Sequence, residues 1–522
     1  MKAFLGIELG STRIKAVLID SGGGLLASGW SDWKNSLSGD VWTYSLEEVW
    51  QGLRESYLRL VADYRGRNDG SGPNVSGIGI SAMMHGYLAF DETGGQLAEF
   101  RTWRNTMTEE AATFLTSYFA FNISQRWSIA HLYQAILNDE PHLGKIAFLT
   151  TLAGYVHYKL TGEKVIGIGD ASGMFPIDST VNDYHAFMAE EFDVLSGEHG
   201  FGRRILEILP KVLCAGESAG RLTKEGARLL DPSGMLQPGI PFCPPEGDAG
   251  TGMVATNSVT PRTGNVSAGT SVFAMVVLER ALSRLYTEID MVTTPTGKPV
   301  AMVHCNNCTS DLDAWIGVFG EVLTQMGMKP DKTELYRSLY EAALRGEPDA
   351  GNLTSVNYLS GEHTTGFQEG RPLFVRTPAS RFTLENFMRN LLFSSMATLR
   401  IGMDILTKLE GAVISSLLGH GGLFKTDVVG QKLMAGALDI PVAVMDSAGE
   451  GGAWGIAILA AYVVCKEENE SLESFLEERI FKGSTTKTIM PDPDDVAGFD
   501  AYLARYIAAL SIERTAINVL PM

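Results

Sequence analysis

The chain has 522 residues, 45% of them hydrophobic and 20% charged, with a formal net charge of −19 at pH 7. That length exceeds what one hydrophobic core serves and predicts two large folded domains, and no polar tract is long enough for a disordered arm. The acidic balance argues against nucleic acid and against an anionic membrane surface as partners, because the protein's own field repels their phosphates; a single nucleotide can still be held by local N–H groups and a metal.

From the N-terminus, residues 3–9, 13–20 and 25–30 read as three consecutive strands, joined by Gly10-Ser11-Thr12 and by Asp20-Ser21-Gly22-Gly23-Gly24. The first stretch meets Glu8 too early to be a secretion signal. Ser45 opens a helix through Tyr64, with Leu46, Val49, Trp50, Leu53, Tyr57 and Leu60 at helical spacing and Glu48 placed as in a capping box. Val75–Ser81 returns to strand and runs into Met84-His85-Gly86. The apolar run Gly239–Cys243 precedes Gly247-Asp248-Ala249-Gly250, where residues 249–256 can begin a helix. After Gly264 the pattern restarts as strand, Gly269-Thr270-Ser271 and strand, followed later by a long helix from about Leu384 to Leu409. This repetition reads as a distant duplication. It predicts α/β architecture with mixed sheets in two domains, 1–256 and 257–522, flanking a deep cleft, with a helical C-terminal extension on the second. The run Ala453–Cys465 is too short to span a bilayer, and an odd count of five cysteines fits a reducing compartment, so a cytoplasmic protein is expected. Cys305-x-x-Cys308 has no second pair at zinc-finger spacing and reads as two buried small residues.

The two Gly-hydroxyl turns carry the first chemical hint. A Gly followed by small hydroxyl residues lets backbone N–H groups and side-chain hydroxyls approach an anion closely. Glu8 stands two residues before Gly10, where a carboxylate reaches a hydrated Mg²⁺ riding on phosphates, while the second turn has no such carboxylate. Each turn alone is far more often a simple hairpin; two of them could grip one polyphosphate from opposite sides. Asp248 sits where peptide dipoles favour the ionised form, which suits either a proton acceptor or a plain helix N-cap. His85 closes a strand where open α/β sheets present ligand-binding side chains, and its ring can bond hydroxyls or serve the core. Trp103 could stack on a sugar face or pack inside. Asn306 and Asn307 are further polar candidates.

The order and spacing of these motifs, together with Leu160-Thr161-Gly162-Glu163, Asp170-Ala171-Ser172-Gly173, Tyr358-Leu359-Ser360-Gly361-Glu362 and Gly419-His420-Gly421-Gly422, resemble the FGGY carbohydrate kinases over about residues 4–465. These are sugar kinases of the actin-like (ribonuclease H-like) ATPase fold, and the chain looks most like their xylulokinase-type members. The resemblance implies ATP and Mg²⁺, with Asp248 as catalytic base and, with Glu8, at the metal. It implies His85, Met84, Trp103 and Asn307 at the sugar. Ser11, Thr12 and Lys15 would serve the β- and γ-phosphates, and Gly269, Thr270 and Ser271 the γ-phosphate, with Arg13 less expected to touch ATP. Gly421, Gly422, Phe424 and Gly452 would border the nucleotide. D-xylulose is the first expected acceptor and L-ribulose the second. A sensor that has lost catalysis is the alternative from another class; a chaperone-type or cytoskeletal ATPase is disfavoured by Met84-His85-Gly86 and Asp170–Gly173. A homodimer rests on family analogy alone.

The chain departs from the family pattern in three places. Glu8 stands where Asp is usual. Asn105 and Met107 follow Trp103 where the family commonly has an acidic residue and an Arg. The loop continuing through Leu423-Phe424-Lys425-Thr426-Asp427 is a little longer than usual.

Overall fold

The computed structural model describes residues 2–445 and 451–521. Ala3–Leu9 (β1) is apolar almost throughout and buried at all but one position, as expected of a strand covered on both faces. It lies at the centre of a five-stranded mixed sheet with Arg13–Asp20 (β2), Leu25–Asp32 (β3), Val75–Ala82 (β4) and Glu246–Gly247 (β5), in the order β5-β4-β1-β2-β3. β1 is antiparallel to β2 and parallel to β4, and β5 is parallel to β4.

Register decides which helix covers which face. Ile7, Ala16 and Gly29 are cross-strand partners on one face, where the backbone of helix Leu46–Arg67 comes within 2.3 Å of a Cβ built on Gly29. Ser45 caps that helix by accepting the N–H of Glu47. Gly6 and Gly79 are partners on the other face, where helix Gly451–Cys465 lies so close that a Cβ on Gly6 would sit 2.2 Å from the Ala453 carbonyl oxygen. This helix is apolar around its whole circumference and also packs on helix Asp248–Ala255, so it is buried rather than amphipathic. A second apolar cluster of the same unit gathers Trp127, Tyr133, Phe175 and Phe192.

The contacts divide the chain into one unit of residues 1–259, 291–300 and 447–483, and another of 260–290, 301–446 and 484–522. This differs from the expected 1–256 and 257–522 division in that two later segments return to the first unit. A helix apolar on every side carries no local sign of which sheet it will cover.

The second sheet comprises Thr263–Ala268 (β6), Val272–Val277 (β7), Ile289–Thr293 (β8), Pro299–Cys305 (β9), Ser416–His420 (β10), Val442–Met445 (β11) and Thr486–Ile489 (β12), ordered β8-β9-β7-β6-β10-β11-β12. β6 is antiparallel to β7 and parallel to β10, which repeats the hairpin and crossover of β1, β2 and β4. Helix Leu384–Asp404 continues into a π-helical turn, Ile405–Leu409. It packs on helices Val429–Leu438 and Pro493–Val519, the latter started by Pro493 and the capping side chain of Asp492. Among the described residues no helix is long and apolar enough to cross a membrane.

Candidate active site

β5 passes directly into helix Asp248–Ala255, so Gly247 is the N-cap and Asp248 the first helical residue. The Asp248 side chain is open to solvent. Its Oδ1 accepts the N–H groups of Met84, at 3.1 Å, and Ala249, at 3.0 Å. Desolvation by the surrounding protein still raises this carboxyl above the usual range, with the two N–H bonds and the Arg126 charge opposing.

Two buried carboxyls stand behind it. Glu246 Oε1 and Oε2 accept the N–H groups of Gly169 and Asp170, and burial, reinforced by the Asp170 charge, pushes its pKa up to about 8. Asp170 Oδ2 accepts the Thr151 hydroxyl at 2.7 Å, while Oδ1 is buried with no hydrogen-bond partner among the described residues. Burial pushes Asp170 up to about 7. The environments therefore separate three neighbouring carboxyls into two that resist ionisation and one that water reaches.

Glu8, in β1, pairs with Lys15 of β2 on one side and Ser81 of β4 on the other. Its Oε2 accepts the Ala453 N–H at 3.2 Å, at the start of helix Gly451–Cys465. Burial first, and the Asp248 charge second, push its pKa up to about 7 against the pull of Ala453 and Lys15. Gly452 is needed here, because a Cβ would lie 2.2 Å from Glu8 Oε1. Among the described residues no three His, Cys, Asp or Glu side chains are grouped to hold a metal. Two mutually repelling carboxylates nonetheless suit a hard, largely hydrated cation such as Mg²⁺, which usually takes one or two protein carboxylates and completes its shell with waters and phosphates.

His85 closes β4 with φ of 72°, a left-handed conformation that costs about 1–3 kcal/mol for such a residue. It is only 6% exposed, and its Nδ1 lies 3.3 Å from the Gly173 carbonyl oxygen. Burial, with Arg126 adding to it, holds its pKa well below the usual value. The neutral ring donates from Nδ1 to Gly173 and keeps Nε2 as an acceptor. Met84 is buried, and the bond it makes to Asp248 comes from its backbone. Trp103 is 42% exposed. Asn105 is spent internally, bonding the N–H and the carbonyl of Trp42 at 2.8 Å each. Glu246 and Arg126 join this setting without belonging to any of the sequence motifs. Glu246 was visible as an acid directly after Pro244-Pro245, whereas nothing in the sequence around Arg126 announces its influence on Asp248 and His85.

In the first turn Gly10 N–H donates to Arg13 O at 3.0 Å, and Ser11 and Thr12 are exposed. The carbonyl oxygens of Gly10, Ser11 and Thr12 accept, respectively, Trp33 Nε1–H at 2.7 Å, the Tyr44 hydroxyl at 2.6 Å and Trp33 N–H at 3.1 Å. Arg13 is paired with Asp32 at 2.7 Å and lies over the Trp30 ring. In the second unit, the Gly269 and Thr270 carbonyls accept the N–H groups of Thr309 and Cys308 at 3.1 and 3.0 Å. Gly421 lies against Ala268, which leads into that turn, and Gly422 starts the short helix Gly422–Phe424. Phe424 is 9% exposed and turns its ring onto Gly419. Asn307 braces the 359–362 segment: its Oδ1 accepts the N–H groups of Leu359 and Ser360, and its Nδ2 donates to Glu362 Oε2. Cys305 and Cys308 are buried free thiols, and burial pushes Cys308 up to about 12.

Residues 3–255 match the N-terminal domain of the FGGY family of carbohydrate kinases, and residues 264–464 its C-terminal domain. The chain is 22% identical over 520 residues to a xylulose kinase of Haemophilus influenzae, a match covering 97% of this chain and 99% of that relative. Its fold is similar to the solved structures of a xylulose kinase from Rhodospirillum rubrum and a gluconate kinase from Lactobacillus acidophilus. Each has a TM-score of 0.78 and covers 98% of both chains, at 18% and 16% identity. The two sheet-containing units thus have the actin-like ATPase architecture of these kinases. The matched domains take in most of the sequence, and the chain belongs to the FGGY family of carbohydrate kinases.

Proposed function

We propose that the protein transfers the γ-phosphate of ATP to a hydroxyl of a ketopentose, with D-xylulose as the first candidate. The observation that carries the reading is the setting of Asp248: a solvent-open carboxylate fixed by the Met84 N–H, next to a His85 whose Nδ1 is turned to the Gly173 carbonyl, which leaves Nε2 the acceptor of the neutral ring. Asp248 takes the proton of the attacking hydroxyl, and His85 Nε2 orients the sugar. Trp103 is the exposed ring offered to the sugar. Residues 1–256 bring the acceptor side and the first turn, where Ser11, Thr12 and Lys15 serve the phosphates. Residues 257–522 bring the second turn, Gly269 to Ser271, with Gly421 and Gly422 for adenosine, while Gly452 borders the nucleotide from the returning helix. Mg²⁺, held through Glu8 and Asp248, supplies charge neutralisation on the phosphates when bound. The full-length likeness to a xylulose kinase favours a ketopentose over other acceptors. Work in the cytoplasm fits both the use of ATP and five free cysteines.

The test is coupled ADP release with ATP and Mg²⁺ across D-xylulose, L-ribulose, D-ribulose, L-xylulose, glycerol and gluconate. Saturable turnover with one ketopentose is expected, and none across the panel from a protein that binds ATP refutes the reading. Asp248→Ala should lower kcat by roughly 10²–10⁴ or more while ATP affinity stays within about twofold.

A further inference from the structure

We propose that Trp33 and Tyr44 are positioning residues that hold the first turn in its anion-accepting shape. The inference rests on the reading of this turn as a phosphate site. Three consecutive carbonyls, those of Gly10, Ser11 and Thr12, are drawn to one side by just two residues. A planar trans peptide carries its C=O and N–H on opposite edges. Fixing the Gly10 and Ser11 carbonyls against Trp33 and Tyr44 therefore turns the N–H groups of Ser11 and Thr12 the other way, on residues that are themselves exposed. A flip of either peptide would present a partly negative oxygen to a phosphate instead of a donor, and Gly10 is the residue that makes such a flip easy.

The platform is built to resist that flip. The Trp33 and Tyr44 rings are stacked with centroids 4.2 Å apart, and Tyr44 is 1% exposed. Burial pushes the Tyr44 hydroxyl up to about 12, so it stays a donor throughout the neutral range, and the indole N–H can only donate. The second turn offers a contrast within the same chain. Its Gly269 and Thr270 carbonyls are held by the backbone N–H groups of Thr309 and Cys308, which no substitution other than proline removes. The first turn depends on side-chain identity where the second does not.

The experiment is calorimetric titration of the full chain and of Tyr44→Phe and Trp33→Phe with ATP, AMP and the sugar, alongside melting curves. Tyr44→Phe keeps the ring stack and removes one donor; Trp33→Phe removes the Nε1 donor and leaves the backbone one. Each variant is expected to raise the Kd for ATP roughly five- to tenfold, with the Kd for AMP and for the sugar unchanged. Unchanged ATP binding in both variants, or equal weakening of ATP and AMP, overturns the inference. A wild-type protein that binds ATP no better than AMP overturns the phosphate-site reading beneath it.

Discussion

Replacing Asp170 by Asn isolates what a buried carboxyl costs beside the proposed base. Asp170 is 1% exposed, its Oδ2 accepts the Thr151 hydroxyl, and its Oδ1 has no partner among the described residues. An Asn of the same shape keeps the Thr151 bond and removes the titration. The folded-state pKa of about 7 lies well above the ordinary aspartate value of about 4, so the native protein holds this proton more tightly than the unfolded chain. The stability this contributes is complete below about pH 4 and is lost as pH rises through about 7. At about 1.4 kcal/mol per pH unit, the wild type should lose up to about 4 kcal/mol relative to the variant between pH 4 and pH 8. The ionisable groups that face Asp170, namely Glu246, Asp248 and Tyr184, remain in the variant, and loss of the Asp170 charge eases ionisation of Glu246, which widens the margin in the same direction. Thermal unfolding of both full-length proteins at pH 5 and pH 8 reads the effect, and the margin of Asp170→Asn over wild type should grow by several degrees toward pH 8. A margin that stays constant or shrinks would refute the buried-carboxyl account.

Gly452→Ala would place a Cβ 2.2 Å from Glu8 Oε1 and 2.8 Å from Thr251 Oγ1, so the Glu8 carboxylate must move. At an overpacking cost of about 1–3 kcal/mol the Mg²⁺ concentration for half-maximal turnover should rise on the order of tenfold, with sugar affinity unchanged. Mg²⁺ titration at saturating ATP and sugar measures it, and an unshifted curve would separate Glu8 from the metal. Arg13→Ala should leave the KM for ATP within about twofold, because Arg13 is spent on exposed Asp32 and Trp30. Lys15→Ala should raise that KM on the order of tenfold, since Lys15 stands across from Glu8. Steady-state kinetics decides between them, and the reverse ranking would assign the phosphate contact to Arg13.

Much of the scaffold was legible because it is local. β1, β2 and the glycine turn between them announce themselves through apolar runs and turn chemistry, and Ser45 marks its helix within two residues. Asp248 was legible as a helix start, one position away from its true place, because Gly247 supplies the cap. What the sequence concealed depends on partners far along the chain. Glu246 and Asp170 become a buried pair only when β5 and residues 168–171 meet. Asn307 reads as a free polar side chain until residues 359–362 arrive to occupy its amide. Phe424 reads as a nucleotide contact, and the packing of its ring on Gly419 is a feature that no local pattern shows. Tyr44 and Trp33 carry no motif at all, and their bearing on the turn follows from hydrogen bonds to main-chain oxygens that no residue pattern encodes.

The return of helix Gly451–Cys465 to the sheet at Gly6 and Gly79 governs how the chain can be made. During synthesis the strands of the first unit leave the ribosome long before the segment that covers one of their faces. At about 5–20 residues per second, the stretch from residue 259 to residue 451 keeps that face bare for on the order of ten to forty seconds. The first unit therefore has a high contact order and cannot complete its folding as the nascent chain's first finished domain. Holding chaperones have a defined apolar surface to protect over that interval, and any message truncated before the helix yields an N-terminal half that is present in full yet unable to close its core.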